Sequence, residues 1–270
     1  VYNLGIVFQE KGLYESAIKA YEDAILLDPL RTDSYNNLGN IFQEIGEIDN
    51  AINLFRKAIS INNDYAESHY NLGNALLEKD NINDSIKSYK KALKIRSVFP
   101  EAYNNLGNAL KEKGDLESAI SSYKEGIQLN PSFAEPRWNL SLVQLLNGDY
   151  DSGWDSYQWR TKKTDPKLPH CKPQINEWDG GALLENEKLL IISEQGLGDT
   201  IQYMRYIPYL RSKKINLSFC TLTKLHSLIK ASKIDNSPLS PDQGAKVKEG
   251  KWISLLSIPR LLRITPSNPI

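Results

Sequence analysis

Cysteine is nearly absent from this chain: Cys171 and Cys220 are the only two, which supplies neither a disulfide framework nor a metal-binding cluster. Net charge is absent as well. The 33 Lys and Arg balance the 33 Asp and Glu, so nothing draws the chain to nucleic acid or to an anionic membrane. No apolar run approaches the ~20 residues that cross a bilayer, and no secretory signal opens the sequence. These absences lead us to expect a soluble protein of a reducing, cytoplasmic compartment. An initiating Met is missing too, and Val1 falls within a helical pattern rather than ahead of one, so we read the chain as a fragment of a longer protein.

What is present is repetition. At 270 residues, 40% of them apolar, the chain has material for about two domains. Asn105-Leu106-Gly107 recurs at intervals of about 34 residues as Asn3-Leu4-Gly5, Asn37-Leu38-Gly39, Asn71-Leu72-Gly73 and Asn139-Leu140-Ser141. A second small column reads Ala17, Ala51, Ser85, Ala119 and Gly153, and a large column reads Tyr21, Phe55, Tyr89, Tyr123 and Tyr157. Gly12, Gly46, Gly114 and Gly148 fall where a left-handed residue ends a helix, and Asp80 takes that place in the third repeat. Each repeat therefore predicts two short helices, neither of which buries its apolar face alone. The small columns allow their close approach, and the large column fills space between neighbouring repeats. This pattern resembles the tetratricopeptide repeat, and the likeness spans residues 1–160 as an all-α solenoid of about five repeats.

One column in the solenoid has functional potential: Asn3, Asn37, Asn71, Asn105 and Asn139, with Asn40, Asn74 and Asn108 three residues later. The i, i+3 spacing places both amides of a repeat on one helix face, and stacking makes a ladder along the concave surface. A primary amide offers a donor and an acceptor side by side, which suits the backbone of an extended peptide from a protein partner. The same asparagines also have a plain reading, in which they serve the solenoid itself. The ladder resembles that of O-linked N-acetylglucosamine transferase, which implies the partner-binding use.

Beyond Gly148-Asp149-Tyr150 the fifth repeat is rich in rings, with Trp154, Tyr157 and Trp159 ahead of Arg160. A terminal repeat facing water is polar, so these rings are expected to pack against a further part of the chain, the alternative being an exposed patch for a partner. Residues 161–187 hold Pro166, Pro169, Pro173 and Gly180-Gly181 and read as a linker, with Trp178 marking a part that packs down. Residues 188–193 read as a buried strand, Glu194 to Asp199 as a glycine loop, and Thr200 onward as a helix to Arg211. A strand at 215–220, a short helix at 224–231 and an apolar stretch at 252–262 complete a partial α/β domain over 188–270 with a parallel sheet.

Gln195, Gly196 and Gly198 form the loop, and Asp199 follows it. The loop is not a dinucleotide fingerprint, because Ile201 holds the third glycine position, and it lacks the Lys-Ser/Thr pair of a P-loop. It offers backbone N–H groups at the carboxyl edge of a strand, where open α/β sheets bind ligands. Asp199 has two readings. It caps the helix, with Gln202 completing a capping box, or it serves as a general base toward an acceptor hydroxyl. His170 and His226, without partner motifs, read as surface residues.

The segments Gly148-Asp149-Tyr150, Tyr157-Gln158-Trp159-Arg160, Glu194-Gln195-Gly196-Leu197-Gly198-Asp199 and Leu255-Leu256-Ser257-Ile258-Pro259 together resemble bacterial repeat-containing glycosyltransferase-like proteins. The Gly198-Asp199 pair is similar to the acceptor-side loop of heptosyltransferases. That resemblance implies a Rossmann-like, GT-B type amino-terminal half, Asp199 as the catalytic base, and transfer from a nucleotide-sugar donor to a hydroxyl acceptor. Two-domain enzymes of this kind bind the donor through a second α/β domain, for which 188–270 leaves no room. We therefore expect no cofactor in this fragment and no activity from it alone. A non-catalytic repeat scaffold is the alternative. Neither reading includes a metal.

Overall fold

The computed structural model describes residues 1–166 and 168–265. They form two compact units, Val1–Val143 and Gln144–Ile270. The division at residue 160 expected from the sequence lies inside the second of these.

The first unit is built of antiparallel helix pairs: α1 Tyr2–Glu10 with α2 Tyr14–Leu27, α3 Thr32–Glu44 with α4 Ile48–Ile61, α5 Ala66–Glu78 with α6 Ile82–Ile95, and α7 Pro100–Glu112 with α8 Leu116–Leu129. Helix α9, Ala134–Leu146, opens the fifth repeat. The turns follow the expected chemistry. Gly12, Gly46 and Gly114 have φ of +70°, +85° and +86°, and Asp80 adopts +57°, a left-handed value that aspartate tolerates.

The glycine after each leucine does meet a close neighbour, but the neighbour is the ring of the large column, not the small column of the second helix. A Cβ on Gly107 would stand 2.5 Å from Tyr123 Cε1, and the same holds at Gly5 with Tyr21, Gly39 with Phe55 and Gly73 with Tyr89. The large column thus fills its own repeat and also, as expected, the space between repeats, where Tyr21 packs with Leu38 and Ile41 and Tyr89 with Leu106 and Ala109 of the following repeat. Ala17, Ala51, Ser85 and Ala119 are fully buried. Ala119 packs in one cluster with Tyr89, Leu106, Tyr123 and Leu140, which spans neighbouring repeats. Ala119→Leu is therefore expected to overpack this cluster and lower stability by about 1–3 kcal/mol, read from a denaturation curve; an unchanged curve would contradict the packing described.

The second unit holds α10, Tyr150–Tyr157, and a four-stranded parallel sheet. Its strands are β1 Asn176–Glu177, β2 Leu189–Ile192, β3 Leu217–Cys220 and β4 Lys251–Ser254, in the order β1-β4-β2-β3. Leu239 adds a parallel bridge outside β3 at Cys220. The central strand β2 is buried along its whole length, which is why it reads as an unbroken apolar run. The chain passes from β2 to β3 on one side through α11 Leu197–Tyr203 and α12 Tyr206–Ser212. It then crosses to β4 on the other side by way of α13 His226–Ala231 and α14 Pro241–Gly244, and ends its described part with α15 Ile258–Leu261. Strand order therefore reverses between β2 and β4. At such a point the loops leaving the two strands part and open a crevice at their carboxyl ends.

Three details depart from the sequence reading. The helix expected from Thr200 to Arg211 starts at Leu197 and is broken into α11 and α12 around Met204 and Arg205. The region expected to be a linker contributes β1, held by Trp178 N–H donating to the Trp252 carbonyl at 2.7 Å. The rings of the fifth repeat pack within this unit: Trp154 Nε1 donates to the Ile264 carbonyl at 2.9 Å, and Arg260 on α15 pairs with Asp155 at 2.9 Å.

Candidate functional site

In the first unit the asparagine ladder is knitted into the repeats by a regular rule. Asn37 Nδ2 donates to the hydroxyl of Tyr2, Asn71 Nδ2 to Asn36 Oδ1, Asn105 Nδ2 to the hydroxyl of Tyr70, and Asn139 Nδ2 to Asn104 Oδ1, each at 3.0 Å. Every one of these bonds reaches back 35 residues, to the residue beside the preceding repeat's asparagine. Asn37, Asn71, Asn105 and Asn139 thus have a structural job in joining repeats. Asn3 is exposed and lines a hollow of about 260 Å³ with Tyr2, Leu27 and Arg31.

The second column is arranged differently. Tyr89 and Tyr123 donate their hydroxyls to Asn74 Oδ1 and Asn108 Oδ1, both at 2.8 Å. Asn74 Oδ1 also accepts from Asn105 Nδ2 at 2.9 Å. Burial raises the hydroxyls of Tyr70, Tyr89 and Tyr123 above the ordinary phenol value, so they remain protonated donors at neutral pH. An amide whose oxygen is held this way turns its NH₂ group the other way. Asn74 and Asn108 are half-buried, and the Asn74 amide also bonds the Tyr70 hydroxyl, so the fold itself fixes how the amide is turned. Asn40 lacks this anchor because Phe55, at the tyrosine position, has no hydroxyl. The tyrosine hydroxyls were not read from the sequence as partners of the ladder; the signal was a 15-residue offset between two columns taken separately.

Asn105→Ala removes donors to both Tyr70 and Asn74 and is expected to cost about 1–3 kcal/mol. A thermal melt unchanged by this substitution would contradict the inter-repeat role.

In the second unit the loop after β2 differs from expectation in its geometry. Gly196 is the residue preceding α11, and Asp199 stands at the third helical position, where its Oδ2 accepts the Gly196 N–H at 3.2 Å. Asp199 is therefore not the cap, and Gln202 takes no part in a capping box. Asp199 supplies the returning carboxylate half of such a box, and glycine supplies no side chain for the other half. The left-handed residue of the loop is Gln195, with φ of +61°, not a glycine. Gly198 lies in the first turn of α11 with open space where a side chain would be.

An open groove of about 580 Å³ is lined by Pro166, Leu168, His170, Gln195, Gly196 and Asp199. His170, read from sequence as a surface residue, is held on both ring nitrogens. Nε2 lies 3.1 Å from the Gln195 carbonyl, and Nδ1 lies 2.7 Å from Ser193 Oγ. A carbonyl only accepts, so Nε2 carries a proton. No sequence signal placed His170 here, because it sits in the stretch read as a linker.

Beside the groove, at the crevice between β2 and β4, the space is occupied by a buried ion pair. Arg160 and Glu194 are 2% and 0% exposed, and the guanidinium bonds both carboxylate oxygens. Arg160 also donates to Ser257 Oγ at 3.0 Å and Ser254 Oγ at 3.2 Å, and Ser254 Oγ donates to Glu194. Burial raises the Glu194 carboxyl above its ordinary value, with the Arg160 charge pulling against it. Every polar atom pointing into this crevice from Glu194 and the two serines is thus engaged by the chain itself. Among the described residues, no group of three or more His, Cys, Asp or Glu is placed to hold a metal ion, and no helix is long and apolar enough to cross a membrane.

Paired helices stacked with a 34-residue period and tied by side-chain bonds between repeats define a repeat scaffold. Residues 39–80, 73–114 and 107–148 match the family model described as TPR repeat, and residues 1–29 match one described as tetratricopeptide repeat; the chain is a tetratricopeptide-repeat protein. Among solved structures, it is similar to one described as a crystal structure of MamA, at 26% identity and a TM-score of 0.54, covering 58% of this chain and 91% of that one. A second MamA structure matches at 25% identity and a TM-score of 0.51, covering 59% and 86%. MamA from Desulfovibrio magneticus RS-1 shares the fold at 17% identity and a TM-score of 0.52, covering 59% of this chain and 89% of that chain. No curated protein matches the chain.

Proposed function

We propose that this chain is a scaffold that holds an extended segment of a partner protein on the concave face of its repeats. The carrying observation is the orientation of the second asparagine column. Asn74 and Asn108 have their oxygens tied to buried tyrosine hydroxyls, which turns their NH₂ groups away from those rings. The Asn74 amide also bonds the Tyr70 hydroxyl, and the second hydrogen of such an NH₂ group is the one offered to a peptide carbonyl. The first column, Asn37, Asn71, Asn105 and Asn139, keeps the repeats in register and so sets the spacing of those donors. Because the contacts address backbone, affinity depends little on the partner's side chains. Titrating nitrogen-labelled protein with a peptide selected from a random library tests this. The side-chain amide signals of Asn40, Asn74 and Asn108 are expected to shift while those of Asn53, exposed on α4, and Asn147, exposed in the turn after α9, stay; the reverse pattern would overturn the reading.

For the second unit we infer the acceptor-side half of a glycosyltransferase-like domain of the doubly wound, GT-B type. Its support is the reversal of parallel strand order between β2 and β4 and a groove at that edge holding Asp199. Asp199 acts there as the base that takes the acceptor hydroxyl's proton, the nucleotide-sugar being held by a further domain. The self-satisfied Arg160–Glu194 crevice favours a second reading, in which this unit has become purely structural and the protein is a scaffold throughout. Sugar transfer by a longer protein carrying the donor-binding half separates the two.

A further inference from the structure

The chain's only cysteines meet in the second unit, with Cys171 Sγ 3.5 Å from Cys220 Sγ. Cys220 ends β3 and is fully buried, whereas Cys171 is partly exposed. Both sulfurs lie against Gly244, where a Cβ would stand 2.5 Å from Cys220 Sγ and 2.8 Å from Cys171 Sγ. A side chain there would push the pair apart, and glycine lets the sulfurs share the space. Cys171 belongs to the segment that rims the Asp199 groove. Its neighbour His170 donates its backbone N–H to the Ser193 carbonyl at 2.9 Å and reaches Gln195 through its ring.

We propose that Cys171 and Cys220 are a redox modification site, closing to a reversible disulfide that fastens the His170 rim of the groove to β3. The sulfurs need to approach by about 1.5 Å to reach bonding distance, within the reach of side-chain rotation and a small shift of the rim. The hydrogen bond between the thiols lowers Cys171 and raises Cys220 relative to an ordinary cysteine, which makes the more accessible sulfur also the more readily ionised. With hydrogen peroxide as the oxidant, the Cys171 thiolate attacks one peroxide oxygen, becomes a sulfenic acid and releases hydroxide, which takes up the thiol's proton as water. Cys220 sulfur then attacks the sulfenic sulfur, forming the S–S bond, and its proton leaves with the sulfenic hydroxyl as a second water. Two thiols and one peroxide give one disulfide and two waters. A small dithiol reverses the step by exchange. In a reducing compartment such a bond is transient and signals oxidant.

The test is maleimide labelling of the unfolded protein after brief peroxide treatment, counted by mass spectrometry. The untreated chain is expected to take two adducts and the treated chain none, with a digest yielding a Cys171–Cys220 linked peptide within one chain and dithiothreitol restoring both adducts. In Cys220→Ser the reaction should stop at a sulfenic acid on Cys171, trapped by dimedone. Cys171→Ser should keep its Cys220 adduct under the same treatment. Wild-type protein that keeps one adduct while Cys171 proceeds to sulfinic acid, or that links only between chains, would overturn the proposal.

Discussion

Arg160→Met is expected to destabilise the second unit by about 3–5 kcal/mol. The guanidinium is 2% exposed and meets Glu194, Ser254 and Ser257. Methionine fills most of its volume but leaves a carboxylate in a site closed to water, with its counter-charge gone. Burial already raises Glu194, so without Arg160 its neutral form gains further. Part of the loss is then expressed as proton uptake by the native protein. Changing both partners, in Arg160→Met with Glu194→Leu, removes two desolvation penalties together, and such swaps range from neutral to stabilising. The double variant should therefore recover most of what the single variant loses. Four of the five tryptophans, Trp154, Trp159, Trp178 and Trp252, lie in the second unit, so fluorescence during guanidinium unfolding reads this unit chiefly. A single variant as stable as wild type would show that the pair is not closed to water.

Asp199→Asn is expected to lower sugar transfer by about a hundred- to ten-thousand-fold in a longer protein that carries the donor-binding half, because loss of a general base has that scale. The amide still accepts the Gly196 N–H, so the loop keeps its shape. Only the favourable charge at the start of α11 is lost, about 0.3–1 kcal/mol. Stability and rate therefore part company in this variant. A rate equal to wild type would confine Asp199 to its helix-start role and leave the second unit structural.

The repeats were legible because their period is local: leucine, glycine and aromatic columns recur at fixed spacing, and each repeat solves the same packing problem. The partner of the glycine column was not legible, because spacing along a helix does not say whether Gly107 meets Ala119 or Tyr123. In the second unit β2 was legible as a long apolar run, whereas β1 at Asn176–Glu177 is too short and polar to register. The position of Asp199 was misjudged by one turn because Gly196, with no side chain, gives no capping signal. His170 and Cys171 were invisible as neighbours of Ser193 and Cys220, since the 23 and 49 residues that separate them are brought together only by the sheet.

The most direct test of the scaffold account is the affinity of a library-selected peptide for the variant carrying Asn74→Asp and Asn108→Asp. Aspartate keeps an oxygen for Tyr89 and Tyr123 but replaces each NH₂ donor by a negatively charged acceptor. Calorimetry is predicted to show binding weakened about a hundredfold, a tenfold loss for each hydrogen bond of about 1.4 kcal/mol, with the melting temperature nearly unchanged. A dissociation constant equal to that of the wild type would contradict the account.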